Sequence, residues 1–101
     1  MRTYHHAQLD ALGDATRRAI LASLINGPKA VGEIASKFPI SRPAISQHLR
    51  VLKDAKLVTD EPSGNKRLYQ LNPDGFETLR EFCDHFWTQA LLAFKAKVEE
   101  S

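Results

Sequence analysis

Apolar residues recur at helical spacing over most of this chain and change to strand spacing only once. The pattern predicts a first helix over residues 4–12, which ends at Gly13. A second helix follows Asp14, a preferred N-cap residue, and its apolar positions fall within residues 20–25. The sequence NGP at 26–28 ends this helix, because Asn and Gly tolerate a left-handed cap and Pro cannot continue a helix.

Two further helices are predicted in the middle of the chain. The first is short, with apolar residues spread over 31–38. The second begins at Ser41, an N-cap residue, and Pro43 lies in its first turn, where a missing N–H costs nothing. The apolar side of this fourth helix consists of Ala44, Ile45, Leu49 and Leu52, of which the last three are expected in the core. Its polar residues lie largely off that side: Arg42, Ser46, Gln47, Arg50 and Lys53.

The period then falls to two, which predicts strands over 57–61 and 67–71 joined by a turn over 62–66. A long last helix is predicted over 74–99. Its apolar side consists of Phe76, Leu79, Cys83, Phe86, Ala90 and Phe94, widened by Phe82, Trp87, Leu91 and Val98. No repeat or linker interrupts the pattern, so residues 1–101 are expected to form one domain, mainly helical with a small β-hairpin.

Composition places the chain among ordinary globular proteins, with 43% hydrophobic and 26% charged residues in 101. No apolar run approaches the roughly 20 residues of a membrane span, and the N-terminus lacks the apolar stretch of a signal peptide. The single cysteine, Cys83, excludes an internal disulfide framework and a zinc finger's set of thiolates. We therefore expect a cytoplasmic protein without a membrane partner.

Positive charge is concentrated in the middle of the chain. Residues 37–67 contain seven basic and three acidic side chains, whereas residues 74–101 contain three basic and six acidic ones. A basic middle third indicates contact with a polyanion, although many solvated surfaces are equally basic.

The third and fourth helices, joined by a few residues, are typical of a helix-turn-helix. On the fourth helix, Arg42 suits guanine and Gln47 suits adenine, because each side chain offers two hydrogen-bonding atoms to a base edge. A hairpin with Lys66 and Arg67 beside its tip would complete a winged helix. The alternative is a small helical domain whose fourth helix is merely solvated.

Five stretches of the chain resemble the ArsR/SmtB family of bacterial winged-helix repressors. They are LGDATRRAIL at 12–21, VGEIA at 31–35, ISRPAISQHLRVL at 40–52, AKLV at 55–58 and RLYQL at 67–71. The resemblance implies a homodimer that occupies double-stranded operator DNA and blocks transcription. It also implies that the fourth helix enters the major groove and that the first and last helices form the dimer interface, here residues 1–13 and 74–101.

The resemblance assigns candidate roles to individual residues. The DNA-binding candidates are Ser41 as the helix cap, Arg42, Ala44, Ser46, Gln47 and His48 on the fourth helix, and Lys66 and Arg67 on the wing. The dimer candidates are Leu9, Leu12, Phe82, Phe86, Trp87, Ala90 and Phe94. His48 could instead be a packed structural residue, and the two wing cations could serve only solubility.

Many members of that family release DNA on binding a metal, and the positions that match their ligands do not provide either of the two known ligand sets here. They are Ala30 and Gly32 near the third helix and Pro73, Gly75, Phe86 and Gln89 along the last helix. We therefore predict no metal site and no cofactor, and the sequence identifies no small-molecule inducer.

Other possible sensing residues are His5, His6, Cys83 and His85. Consecutive helical residues point about 100° apart, so Cys83 and its neighbours do not converge on one ion without a second chain. Cys83 is expected to be a small core residue, and a redox role for it remains an alternative.

No catalytic motif is present. The chain has no glycine-rich phosphate loop, nucleophile elbow or HExxH sequence, so we predict that it is not an enzyme. A second class of function remains open, a dimeric interaction module whose aromatic last helix binds another protein. The same aromatic residues would serve a dimer interface, so the sequence does not separate the two.

Overall fold

The computed structural model describes residues 4–100, without the side chains of Tyr4 and His5. Within residues 4–100, five helices and three strands follow one another. They are α1 (Tyr4–Leu12), α2 (Ala15–Ser23), β1 (Lys29–Ala30), α3 (Val31–Ala35), α4 (Arg42–Asp54), β2 (Val58–Ser63), β3 (Lys66–Leu71) and α5 (Pro73–Glu100). The arrangement is a winged helix-turn-helix, as the sequence predicts, and its wing is the β2–β3 hairpin.

The sheet contains one strand that the sequence analysis does not predict. The strand order is β1-β3-β2, and β1 pairs antiparallel with β3 through Lys29 opposite Tyr69 and Ala30 opposite Leu68. The wing strands are also longer than predicted, because Pro62 and Ser63 continue β2 and only Gly64 and Asn65 form the turn. Pro62 is tolerated because β2 is an edge strand, where a missing N–H breaks no ladder.

The helix ends follow the predicted chemistry. The backbone N–H of Arg17 donates to the Asp14 carboxylate at 2.9 Å, which caps α2. This helix is shorter than its apolar pattern, because Ile25 lies beyond its end and is 70% exposed. Gly27 has a φ of 136°, a backbone conformation that glycine adopts readily, so the chain turns there toward β1.

The core lies between α1, α2, α3, α4 and the base of the wing. Its buried apolar residues are Ala11, Ile20, Leu21, Leu24, Ile34, Ile45, Leu49, Leu52, Ala55, Leu57 and Val58. The three residues of α4 predicted to be core are all included. Cys83 is exposed, so its prediction as a core residue is wrong for the single chain.

The first turn of α5 is fixed to the body, and the rest of the helix extends away from it. Gly75 is buried against the backbone of Lys56, which itself has a left-handed φ of 66°. Beyond Leu79 nearly every residue of α5 is exposed, and the molecule measures 63 × 26 × 23 Å. Among residues 4–100, no helix is both long and apolar enough to cross a membrane.

Candidate nucleic-acid interface

Helix α4 is held by one apolar side, which determines the side that faces solvent. Its cap is the Ser41 hydroxyl, which accepts the backbone N–H of Ala44 at 3.3 Å. Ile45, Leu49 and Leu52 are fully buried, at the spacing of one helical face. Burial of this face orients the opposite, polar face of α4 outward.

The groove-facing candidates divide into two groups on α4. Arg42, Ser46 and Gln47 are exposed, and Arg42 and Ser46 are four residues apart on one face. Ala44 and His48, also four residues apart, are both half-buried. The exposed group offers a guanidinium, a hydroxyl and an amide near the start of the helix, which is the part that a recognition helix presents to base edges.

A groove separates the start of α4 from the wing. It has a volume of about 620 Å³ and is lined by Ala30, Val31, Gly32, Glu33, Arg42, Asn65, Lys66, Arg67 and Tyr69. Arg42, Lys66 and Arg67 come from distant parts of the sequence and bring three positive charges to this groove. Among the described residues that line the groove, only Glu33 is acidic, and it accepts the backbone N–H of Ala30 at 3.2 Å. The groove therefore offers positive charge to an anionic strand along its length.

The middle of wing strand β2 is fixed to α4 by a carboxylate that the sequence analysis does not identify. The Asp60 side chain is 6% exposed and contacts Lys53 Nζ at 2.8 Å and Arg67 Nε at 2.7 Å. The hydrogen bond from Lys53 is the largest cause of an Asp60 carboxyl pKa below its usual value, and the hydrogen bond from Arg67 is the second. The carboxylate in turn raises the pKa of Arg67. Arg67 is thus a structural residue of the wing as well as a lining residue of the groove.

His48 contacts the body of the protein. Its Nδ1 lies 3.4 Å from Arg17 Nη1 and 4.0 Å from the Asp14 carboxylate, which caps α2. Arg17 also donates through Nε to the carbonyl oxygen of Ala11 at 2.8 Å. His48 therefore joins α4 to the α1–α2 junction through its Nδ1 atom. The backbone N–H of Arg17 is the chief cause of a lowered Asp14 pKa.

The dimer candidates lie mostly on an open surface of the single chain. Leu12 and Phe82 are half-buried, whereas the remaining candidates are exposed: Leu9, Phe86, Trp87, Ala90 and Phe94. The rings of Phe82 and Phe86 stack with centroids 6.5 Å apart. Phe86 is 64% and Phe94 68% exposed, which is unusual for side chains of this size.

Possible metal ligands do not cluster in the part of the chain that the structure describes. Within residues 4–100, no three His, Cys, Asp or Glu side chains come together in a way that could hold an ion. His85 and Cys83 are exposed on α5, and the side chain of His5 lies outside the described part of the chain.

Comparisons with known proteins agree with one another. The model of bacterial regulatory proteins of the arsR family matches residues 14–60, from the cap of α2 to the start of the wing. The HTH-type transcriptional regulator Rv2034 of Mycobacterium tuberculosis is 54% identical over 89 residues, which are 88% of this chain and 83% of that protein. The transcriptional repressor SdpR of Bacillus subtilis is 45% identical over 62 residues, which are 61% of this chain and 69% of that protein.

A solved structure supports the same comparison at the level of the fold. The crystal structure of a possible transcriptional regulator for arsenical resistance superposes with a TM-score of 0.73 at 44% identity. The match covers 85% of this chain and 93% of the other one, so it extends well beyond the helix-turn-helix.

Proposed function

Because the chain belongs to the ArsR family of bacterial regulatory proteins, we propose that it is a homodimeric repressor that recognises operator DNA through α4 and the wing. Its class is that of a DNA-binding transcriptional regulator and not of an enzyme. The observation that carries the proposal is the groove in which Arg42 of α4 meets Lys66 and Arg67 of the wing.

Base recognition is assigned to the exposed polar face of α4. Arg42, Ser46 and Gln47 are exposed, while the buried residues on the opposite side fix the rotation of the helix. Arginine can contact guanine and glutamine can contact adenine, each with two hydrogen bonds in the major groove. The hydroxyl of Ser46 adapts to either a base or a phosphate. Ser41 caps the helix, and Ala44 lies close enough to the surface to contact a thymine methyl group.

Backbone contacts are assigned to the wing. Lys66 is exposed beside the turn at Gly64 and Asn65, and Arg67 lines the same groove while its Nε is bonded to Asp60. The ion pairs at Asp60, midway along β2, join the wing to α4, which supports a fixed placement of the two DNA-contacting elements. The free guanidinium edge of Arg67 and the Lys66 ammonium then face a phosphate strand.

The homodimer is assigned to the apolar face of α5, defined here as Phe86, Trp87, Ala90, Leu91, Phe94 and Val98. At about 100° per residue these six positions fall within an arc of about 140°. All of them are exposed in the single chain. A continuous exposed patch of this kind marks an interaction surface, and a second copy of α5 supplies a matching one. Within residues 1–13, Leu9 adds another exposed apolar side chain.

We also propose that this repressor works without a metal. The positions that hold metal ligands in related proteins carry Ala30, Gly32, Pro73, Gly75, Phe86 and Gln89, and none of these is a typical metal donor. A repressor of this kind could control its own operon, and it would work in the cytoplasm, where the chromosome is accessible.

The test is capture of genomic fragments by the purified full-length protein, followed by sequencing. The proposal expects a small set of fragments that share a two-fold symmetric sequence, with half-sites about one helical turn or a multiple apart. A duplex carrying that sequence should bind at least about 1,000-fold more tightly than a shuffled duplex at the same salt concentration. A stable dimer that selects no sequence would contradict the proposal and favour a protein-interaction module.

A further inference from the structure

A second groove, which includes no residue of the wing tip, is almost wholly apolar. It has a volume of about 360 Å³ and lies between the end of α1, α2, the end of β3 and the first turns of α5. Its lining residues are Leu12, Arg18, Leu21, Ala22, Ile25, Leu71 and Phe76. The volume falls within the range of about 300–1,000 Å³ that is usual for small-molecule sites.

Ile25 lies at the edge of this groove and is 70% exposed, although it is a large apolar residue. It follows the end of α2 and is not part of the buried core. A single exposed isoleucine is ordinary, but here it extends an apolar surface formed by Leu12, Leu71 and Phe76. An apolar molecule in the groove would cover all four side chains.

Arg18 gives the groove a defined charge. Among the lining residues, all of which fall within the described range, it is the one charged side chain. Its Nη1 donates to the carbonyl oxygen of Leu12 at 2.6 Å, which holds the guanidinium at the rim. A guanidinium fixed in this way can present its other N–H groups to a carboxylate.

We propose that this groove binds an amphipathic carboxylate, a molecule with an apolar body and one anionic head group, as the effector of the regulator. The apolar body lies against Leu21, Ile25 and Phe76, and the carboxylate accepts hydrogen bonds from Arg18. The groove lies between α2, which supports the helix-turn-helix, and the first turns of α5. Its occupant therefore contacts both the DNA-binding body and the helix assigned to the dimer. The effector role rests on the proposed function, whereas binding itself does not.

The first test measures binding of octanoate to the full-length protein by titration calorimetry, well below the concentration at which octanoate aggregates. Octanol, which has the same chain and no charge, is the matched ligand. We expect saturable binding of one octanoate per chain. Arg18→Gln should weaken octanoate binding by tenfold or more and change octanol binding by less than twofold. Arg80→Gln, which removes an exposed cation on α5 outside the groove, should change the affinity for neither ligand.

Two further variants test the position of the apolar body. Ala22→Phe should fill the groove and abolish binding of both ligands. Ile25→Ser, at a position too exposed to be needed for folding, should weaken both about equally. Octanoate binding that survives Arg18→Gln and Ala22→Phe would place the ligand elsewhere and overturn the proposal. A second result would also overturn the proposal: the unaltered protein binds no octanoate, and Ala22→Phe dissociates the dimer. The groove would then be a contact surface for the second copy.

The effector role is tested on operator DNA. Saturating octanoate should change the operator affinity of the unaltered protein by at least about fivefold, the lower end of usual allosteric coupling. It should have no effect on Arg18→Gln at the same concentration. Binding without any change in operator affinity would overturn the effector role. A protein that binds octanoate and no operator would instead contradict the proposed function, so the two failures are distinguishable.

Discussion

Gln8 of α1 donates through Nε2 to the carbonyl oxygen of Gly75 at 2.9 Å, and the glutamine is completely buried. This contact joins α1 to the first turn of α5 at the point where the backbone of Lys56 approaches most closely. A Cβ at position 75 would overlap the carbonyl group of Lys56. The position is therefore occupied by glycine for a steric reason, and a side chain that binds a metal has no room there.

We predict that Gly75→Ala destabilises the protein by about 1–3 kcal/mol or more, the usual cost of forcing extra atoms into a packed site. The measurement is urea unfolding followed by circular dichroism. Gly32→Ala is the matched control, because the nearest atom to a Cβ there is Arg42 Nη1 at 4.0 Å. Alanine within α3 should be neutral or slightly stabilising. Equal unfolding free energies for the two variants would contradict the close packing of α5 on Lys56.

The ion pairs at Asp60 predict a particular dependence of stability on pH. Lys53 and Arg67 lower the pKa of Asp60 in the folded protein, so the ionised carboxylate favours folding. This contribution is fully present above the ordinary carboxyl pKa of about 4 and is lost as the pH falls through the lower, folded value. Asp60→Asn should therefore be less stable than the unaltered protein at pH 7, and the difference should shrink as the pH falls below about 4.

Urea unfolding of both proteins at a series of pH values checks this prediction. The lowered pKa of Asp14 acts equally in both, so it cancels from the difference. A stability difference that stays constant from pH 7 to pH 2 would show that the Asp60 carboxylate is not ion-paired in solution.

The sequence predicts the elements of this fold well because their signals are local. The Asp14 and Ser41 caps each depend on a backbone N–H three residues along, and both hydrogen bonds are present. Strand β1 has only two residues, too few to show a period, and it exists because β3 offers a free edge. The exposure of Cys83 in the single chain is likewise invisible to a helical pattern, which shows the apolar side of α5 but not what covers it.

The sequence predicts only part of the candidate site, because some of its features are local and others join distant elements. Spacing along α4 identifies the exposed side chains of Arg42, Ser46 and Gln47. The link from Asp60 to Lys53 and Arg67 crosses three elements and has no spacing of its own. One signal was available: in the antiparallel hairpin Pro62 faces Arg67, which makes Asp60 and Arg67 diagonal neighbours of opposite charge. The contact of His48 with Arg17 depends on how α4 packs on α2, which no local pattern contains.

The apolar face of α5 predicts the behaviour of a charged variant. Phe86→Asp combined with Phe94→Asp should yield a monomer or an aggregate, because four carboxylates, two from each chain, would be buried without partners in the dimer. Sedimentation velocity measures the outcome. His85→Asp combined with Ala96→Asp adds the same two charges on the opposite side of the exposed helix and should leave the dimer intact. A fully dimeric Phe86 and Phe94 double variant would place the interface elsewhere.

The lack of typical metal donors at the family's ligand positions predicts that divalent metals do not control DNA release. Operator affinity should change by less than tenfold, about 1.4 kcal/mol, on adding stoichiometric Zn²⁺, Ni²⁺ or Cd²⁺ to protein treated with chelator. A larger change would reveal a site between chains. His5, His6 and His85 would then be the first residues to substitute.

Base contacts by α4 and phosphate contacts by the wing predict different effects for Gln47→Ala and Lys66→Ala. Gln47 is placed to contact a base edge, so its removal should cost roughly 1–3 kcal/mol on the operator and much less on a random duplex. Lys66 is placed to contact phosphate, so its removal should weaken both duplexes alike. Affinities for both duplexes across a salt series provide the measurement.

The salt series separates the two roles independently of absolute affinity. Loss of one phosphate contact should reduce the slope of log affinity against log salt by about 0.9, and a symmetric dimer doubles that change because each substitution occurs once in each half-site. Gln47→Ala should leave the slope unchanged, since a base contact releases no counterion. If Gln47→Ala weakens both duplexes equally while Lys66→Ala relaxes the sequence preference, the wing reads the bases and α4 is not the recognition helix.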